Sequence, residues 1–387
     1  MSAGVPVRAL SLEELRERSS EKWREYPDDV LPMFVAETDF PLAPAIARTL
    51  EQAVARGDTG YVASRTPLAD TYADFAKRRF DWDVDPSRVR TTADVSMGIV
   101  EILRRVVVPG QRVVVTPPVY PPFYELVTEA GAVVERVPLA RSESGWELDL
   151  DGIRAALKAG AGAVLLCNPH NPTGTVHSAA SLSALADLAA EYGAAIVSDE
   201  IHAPLAQPDA GFTPFLAVSP TAEQVGYCVT SASKAFNLAG LKCALMVTAS
   251  DAPTEVVRGL PIEVVWRTGQ FGLLAAVAAF SPESDPWLDG LLLTLDENRR
   301  LLRELLAHHI PTARYGVPDA GYLAWIDLNE LGWGDNPARR ILREAKVALH
   351  FGPAFGQEGR GFVRLNFGTA PEIITDAVER IAALARS

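Results

Sequence analysis

The 387-residue sequence has no surplus of positive charge. Its 36 Lys and Arg stand against 49 Asp and Glu, for a formal net charge of −13. Nothing is left over to neutralise phosphates, so a nucleic-acid partner is not expected. Cysteine is scarce. Cys167, Cys228 and Cys243 show no paired spacing and lie in or beside apolar segments, which points to buried free thiols. No run approaches the roughly 18 apolar residues of a membrane span. The N-terminal stretch lacks a cationic start followed by apolar residues, so a signal peptide is not expected and a cytoplasmic location is. Internal repeats and low-complexity tracts are missing as well.

What remains is a globular composition, 48% hydrophobic and 22% charged, in a chain long enough for a large core and one or two domains. Ser11-Leu12-Glu13-Glu14 reads as a capping box. Helices are predicted over 44–56, with Gly57 as the stop, over 95–107, over 150–159, and over 181–192, with Gly193 as the stop. Short β-rich or apolar runs at 111–116, 132–137, 163–166, 194–197, 228–231 and 243–247 read as strands. Their alternation with helices predicts an α/β fold with a mostly parallel sheet. Asp285-Pro286 is expected to open a long helix, with the aspartate as cap. Strands at 322–328 and 362–367 and an amphipathic helix at 371–386 follow, so a domain boundary is placed near residue 283.

Three stretches carry chemistry. Ser231-Ala232-Ser233-Lys234-Ala235-Phe236-Asn237-Leu238-Ala239-Gly240-Leu241-Lys242 suits a lysine that forms a Schiff base beside a bound phosphate; a surface loop with two ordinary lysines is the plain alternative. The others are Cys167-Asn168-Pro169-His170-Asn171-Pro172-Thr173-Gly174 and Val197-Ser198-Asp199-Glu200-Ile201-His202. Their order and spacing resemble the fold-type I pyridoxal-phosphate (PLP) enzymes of the class I/II aminotransferase family. The forms SDEIH and SASKAFNLAGLK look most like its cystathionine β-lyase and C–S lyase branch, and the resemblance covers nearly the whole chain.

The resemblance implies a PLP-transferase fold: a large domain with a mostly parallel seven-stranded sheet flanked by helices, plus a smaller α+β domain. The expected division is an N-terminal segment 1–45 packing with the small domain, a large PLP-binding domain 46–283 and a small domain 284–387. It implies a homodimer with active sites at the interface, and Tyr61 reaching the neighbouring subunit's cofactor phosphate. Lys234 becomes the Schiff-base lysine and proton carrier. Asp199 becomes the anion beside the pyridine nitrogen, Asn171 the donor to the ring's phenolate oxygen, and Tyr120 the ring that stacks on the pyridine. The backbone turn Ser96, Met97 and Gly98, with Ser231, Ser233 and Lys242, would hold the phosphate. Lys242 stands where arginine is commoner, so it keeps the charge and loses the fork. His202 stands where many aminotransferases place a tyrosine. Arg364, in FVRLNF, would fork onto the substrate α-carboxylate, near the backbone at Ala36. Glu37-Thr38 departs from the commoner Asp-Met.

The expected reaction is PLP-dependent β-elimination from cystathionine or a related S-substituted cysteine, giving a thiol, pyruvate and ammonia. Transamination with a keto acid uses the same residues and is the alternative. A non-catalytic PLP-fold ligand sensor is a third reading, disfavoured by the intact lysine, aspartate and arginine. A small amino-acid substrate is expected, with no metal.

Overall fold

The computed structural model describes residues 5–63, 66–142 and 145–386. Two short helices, α1 (Leu12–Arg16) and α2 (Glu21–Arg24), lead in, and the Ser11/Glu14 capping box forms as expected. Next come α3 (Pro44–Arg56) and α4 (Leu68–Phe80). Gly57 ends α3 in the left-handed region at φ 67°, where a Cβ would be strained.

The main sheet has seven strands: β1 (Val89–Thr92), β2 (Arg112–Val115), β3 (Val133–Arg136), β4 (Ala163–Cys167), β5 (Ala195–Asp199), β6 (Gly226–Thr230) and β7 (Ala244–Val247). Their spatial order is β1-β7-β6-β5-β4-β2-β3. All pairings are parallel except those of β7, which runs antiparallel to β1 and β6. Successive strand residues face opposite sides. Val164, Leu166 and Ile196 enter one core with Leu182 and Leu185 of α7 (Ala179–Tyr192), whereas Leu165, Cys167 and Val197 enter a second core with Ile99, Ile102 and Leu103 of α5 (Val95–Val106). Burial on both sides explains why these strands are apolar runs rather than alternating ones. Helix α6 (Leu150–Lys158) precedes β4, and α8 (Gln270–Phe280) lies against α3 and α4.

The 25-residue α9 (Asp285–His309) buries Leu288, Leu291, Leu295, Leu302 and Leu306 on one stripe. The expected cap is corrected here: Ser284 occupies the cap position, and Asp285 sits in the first turn with its carboxylate 2.9 Å from Arg78. An antiparallel sheet follows, ordered β8-β9-β11-β10, from β8 (Arg314–Tyr315), β9 (Leu323–Asp327), β10 (His350–Phe351) and β11 (Phe362–Asn366). Helix α10 (Pro371–Arg386) packs on α9. Leu31–Pro32 pairs in parallel with Val347–Ala348 as a separate two-stranded sheet, which ties the N-terminal segment to the chain just before β10.

Candidate active site

Open α/β sheets bind ligands beyond the carboxyl ends of their strands. Here that edge carries one motif per strand. Ser96 follows β1, Ser231 to Lys234 follow β6, Asp199 ends β5, Asn171 follows β4, and Tyr120 follows β2. Because β7 is antiparallel, the residues that precede it lie at the same edge, which brings in Lys242. Sheet order therefore sets the order of chemistry along the edge: hydroxyl and cation, then amine, then carboxylate, then amide.

These residues line a cavity of about 390 Å³. Its wall includes Ser96, Tyr120, Asn171, Asp199, His202 and Ser233, together with Lys234 and Lys242. From the N-terminal segment and the second sheet come Ala36 and Arg364. Four predicted residues are not in the wall. Ser231 is buried behind Ser233, with its hydroxyl 2.6 Å from that of Ser233 and donating to the Cys243 carbonyl at 2.7 Å. The Met97 amide is already used, donating to the Asp94 carboxylate at 2.8 Å. Gly98 serves packing, since a Cβ there would come within 2.8 Å of Val229. Tyr61 is fully exposed on this chain, away from the cavity.

Lys234 Nζ donates to the Ala36 carbonyl at 3.0 Å. Burial and the Arg364 charge lower its pKa to about 8, against the pull of Glu37, Asp199 and Glu21. An amine poised this close to neutrality is suited to nucleophilic and proton-transfer work. Arg364 is 3% exposed and its pKa is lowered to about 10 by burial. Its Nη1 donates to Asn171 Oδ1 at 3.1 Å and its Nη2 to the Phe34 carbonyl at 2.8 Å. The first bond fixes the Asn171 amide, leaving Nδ2 as the free donor. No carboxylate lies within ion-pair distance of Arg364 or Lys234 among the described residues. A buried guanidinium and a half-buried amine without an anion call for an anionic ligand.

Asp199 is the converse case. Burial raises its pKa to about 7, and only the Ile201 amide at 3.0 Å and the more distant Lys234 charge favour its ionised form. A cation brought against it would restore the charge. His202 is held neutral: burial, then the Lys234 and Arg364 charges, lower its pKa to about 3, and its Nδ1 has no partner. Tyr120 is partly buried, with its ring edge-on to Phe123. Lys242 Nζ meets the Asp94 carboxylate at 3.1 Å, and Asp94 also caps α5.

An uncompensated buried carboxylate, an amine, an amide donor, an aromatic ring and a cationic hydroxyl-bearing corner fit PLP. The ring nitrogen would face Asp199, the phosphate would face Ser96, Ser233 and Lys242, and the aldehyde would face Lys234. Sequence reasoning missed Asp94, Tyr322 and Asn366. Asn366 could have been found, because residues 364 and 366 of one strand share a face.

The profile of the family described as Aminotransferase class I and II matches residues 29–381. A Mycobacterium leprae (strain TN) protein, provisionally named a cystathionine beta-lyase, is 42% identical, covering 97% of each chain. The cystathionine beta-lyase of Corynebacterium glutamicum is 35% identical, covering 98% of this chain and all of its own. Among solved structures, a Corynebacterium diphtheriae protein provisionally described as a PLP-dependent beta-cystathionase superposes with TM-score 0.93, 34% identity, and coverage of 98% of this chain and 99% of its own.

Proposed function

We propose, from the premise that this chain belongs to the aminotransferase class I and II family, that it is a PLP-dependent C–S β-lyase. It cleaves cystathionine or a related S-substituted cysteine to a thiol, pyruvate and ammonia. The observation that carries this reading is the cavity itself: buried Arg364 and half-buried Lys234 stand in its wall without anions, and buried Asp199 without a cation in contact. The full-length likeness to cystathionine beta-lyases supports the lyase branch over transamination.

When bound, PLP supplies an aldehyde carbon for the substrate amine and a ring that accepts electrons. The protein's part is positional and electrostatic. The Arg364 fork takes the substrate α-carboxylate beside the backbone at Ala36. Lys234 Nζ, directed by the Ala36 carbonyl, takes the proton from the substrate Cα. Asp199 would hold negative charge toward the ring nitrogen, and Asn171 Nδ2 would donate to the ring oxygen. Tyr120 would pack on the ring. Ser96, Ser233 and Lys242 would hold the phosphate, with the first turn of α5 adding its dipole. Ser231 supports Ser233, and Met97 and Gly98 shape the turn.

The same reading takes the protein as a cytoplasmic homodimer. Exposed Tyr61 is free to enter a second copy's phosphate site, and three buried free cysteines suit a reducing compartment. No helix among the described residues is long and apolar enough to cross a membrane. The reading keeps the division into 1–45, 46–283 and 284–387, of which residues 1–4, 64–65, 143–144 and 387 lie outside the described residues.

Incubation with cystathionine, with and without 2-oxoglutarate, tests it. Pyruvate, ammonia and homocysteine without the keto acid are expected. Glutamate formed only with the keto acid would make it an aminotransferase. No turnover by PLP-loaded protein would leave a ligand sensor.

A further inference from the structure

Residues 34–38 run past the cavity without joining a sheet, with Phe34, Val35 and Ala36 in its wall, so apart from the Val35 carbonyl, which also accepts from the Glu37 amide at 3.0 Å, their carbonyls depend on side chains for partners. All five are served. Arg364 donates to Phe34, Lys22 and Asn366 to Glu37, and Arg18 and Asn237 to Thr38. Asn366 also donates to Val35, so its single Nδ2 spans the residues on either side of Ala36, at 2.7 Å and 2.6 Å. Asn366 is fully buried, and its Oδ1 is fixed by the Gly368 amide at 2.7 Å. With its neighbours' carbonyls drawn toward Asn366, the Ala36 carbonyl points elsewhere. It accepts from Lys234 Nζ at 3.0 Å and from the Tyr322 hydroxyl at 2.9 Å.

We propose that Asn366 is a positioning residue, holding the Ala36 carbonyl as the dock for the Lys234 amine, and that Tyr322 competes for the same oxygen. This rests on Lys234 being the amine that meets PLP. A carbonyl acceptor favours the ammonium form of Lys234, so its strength sets where the amine becomes neutral. Losing the dock lowers that pH. Removing the competing donor raises it. The other charged or titratable groups facing Lys234 are Arg364, His202, Glu37, Asp199 and Glu21; neither change substitutes one of them, although Asn366 also holds the Glu37 backbone and Tyr322 lies edge-on to His202 and near Arg364.

The test uses apoprotein mixed with PLP, following the rate at which the visible absorbance band appears as pH is varied. Only the neutral amine attacks the aldehyde, so the rate reports its titration. Lys234→Ala gives the background from other lysines. Wild type is expected to show a midpoint near 8. Asn366→Ala is expected to shift it down, and Tyr322→Phe up, each by about one to two pH units for one hydrogen bond to a charged group. Midpoints that stay put, or move in one common direction, overturn the proposal. If Asn366→Ala does not fold, Tyr322→Phe decides alone, and an unshifted or lowered midpoint overturns it. A wild type with no band above the Lys234→Ala background refutes the underlying reading instead.

Discussion

Arg364 Nη1 and Asn171 Oδ1 lie 3.1 Å apart, joining strand β11 of the second sheet to the loop after β4 of the first across 193 residues of sequence. This one contact couples the group meant for the substrate carboxylate to the group meant for the cofactor ring.

Arg364→Lys keeps the charge but cannot hold both Asn171 and the Phe34 carbonyl while meeting a carboxylate. A loss of about 2 kcal/mol, or roughly thirtyfold in kcat/KM, is expected. Steady-state kinetics with cystathionine check it. An unchanged kcat/KM would show that the carboxylate binds elsewhere.

Lys234→Ala is expected to abolish the visible band of PLP-loaded protein and to lower turnover at least roughly a thousandfold. Spectroscopy and a pyruvate assay on the same sample measure both. Loss of one without the other would separate cofactor attachment from proton transfer.

Glu200 gives a pH signature without the cofactor. Burial raises its pKa from 4.5 to about 7, against donors at Phe215 and Ser198. Between those values the folded state keeps a proton that the unfolded chain has lost. Its contribution is therefore full below about 4.5 and is lost as pH rises through about 7. Glu200→Gln lacks that loss. The variant should gain on wild type across this window, by up to about 3 kcal/mol. Denaturant unfolding of both proteins at several pH values measures the difference, and a pH-independent gap would show that Glu200 titrates normally.

Asp94 places a negative charge 3.1 Å from Lys242, in the corner meant for a phosphate. Asp94→Asn keeps the helix cap and removes the repulsion, so PLP should bind several-fold tighter. Lys242→Ala should weaken binding about tenfold or more, and Lys242→Arg should tighten it through its fork. Titration of apoprotein with PLP ranks the four proteins. A weaker Asp94→Asn would mean that Asp94 chiefly orients Lys242.

Six of the seven strands of the main sheet were legible, the inner ones because residues buried on both faces form short apolar runs, as at Ala163–Cys167; the short and more polar Val89–Thr92 was not. The site was legible where a side chain does the work, as with Lys234, Asp199 and Arg364, and where a motif gives its place. It was less legible where the backbone does the work. Val35, Ala36 and Glu37 contribute carbonyls, and nothing in their side chains announces that. Asp285 shows a second limit. It has the residue type of a cap and the proline beside it, yet Arg78, 207 positions away, takes its carboxylate. Strand direction was hidden too: the run at 243–247 looks like its parallel neighbours, and only the pairing shows that it is reversed.

The bonds from Arg364 and Asn366 to residues 34–37 stitch the beginning of the polypeptide to nearly its end. During synthesis Arg18, Lys22, Lys234 and Asn237 leave the ribosome early enough to hold Ala36, Glu37 and Thr38, but the bonds from Arg364 and Asn366 to Phe34 and Val35 wait until β11 emerges. A prematurely terminated product would lack both clasps, and with Arg364 the fork proposed to seat an amino acid.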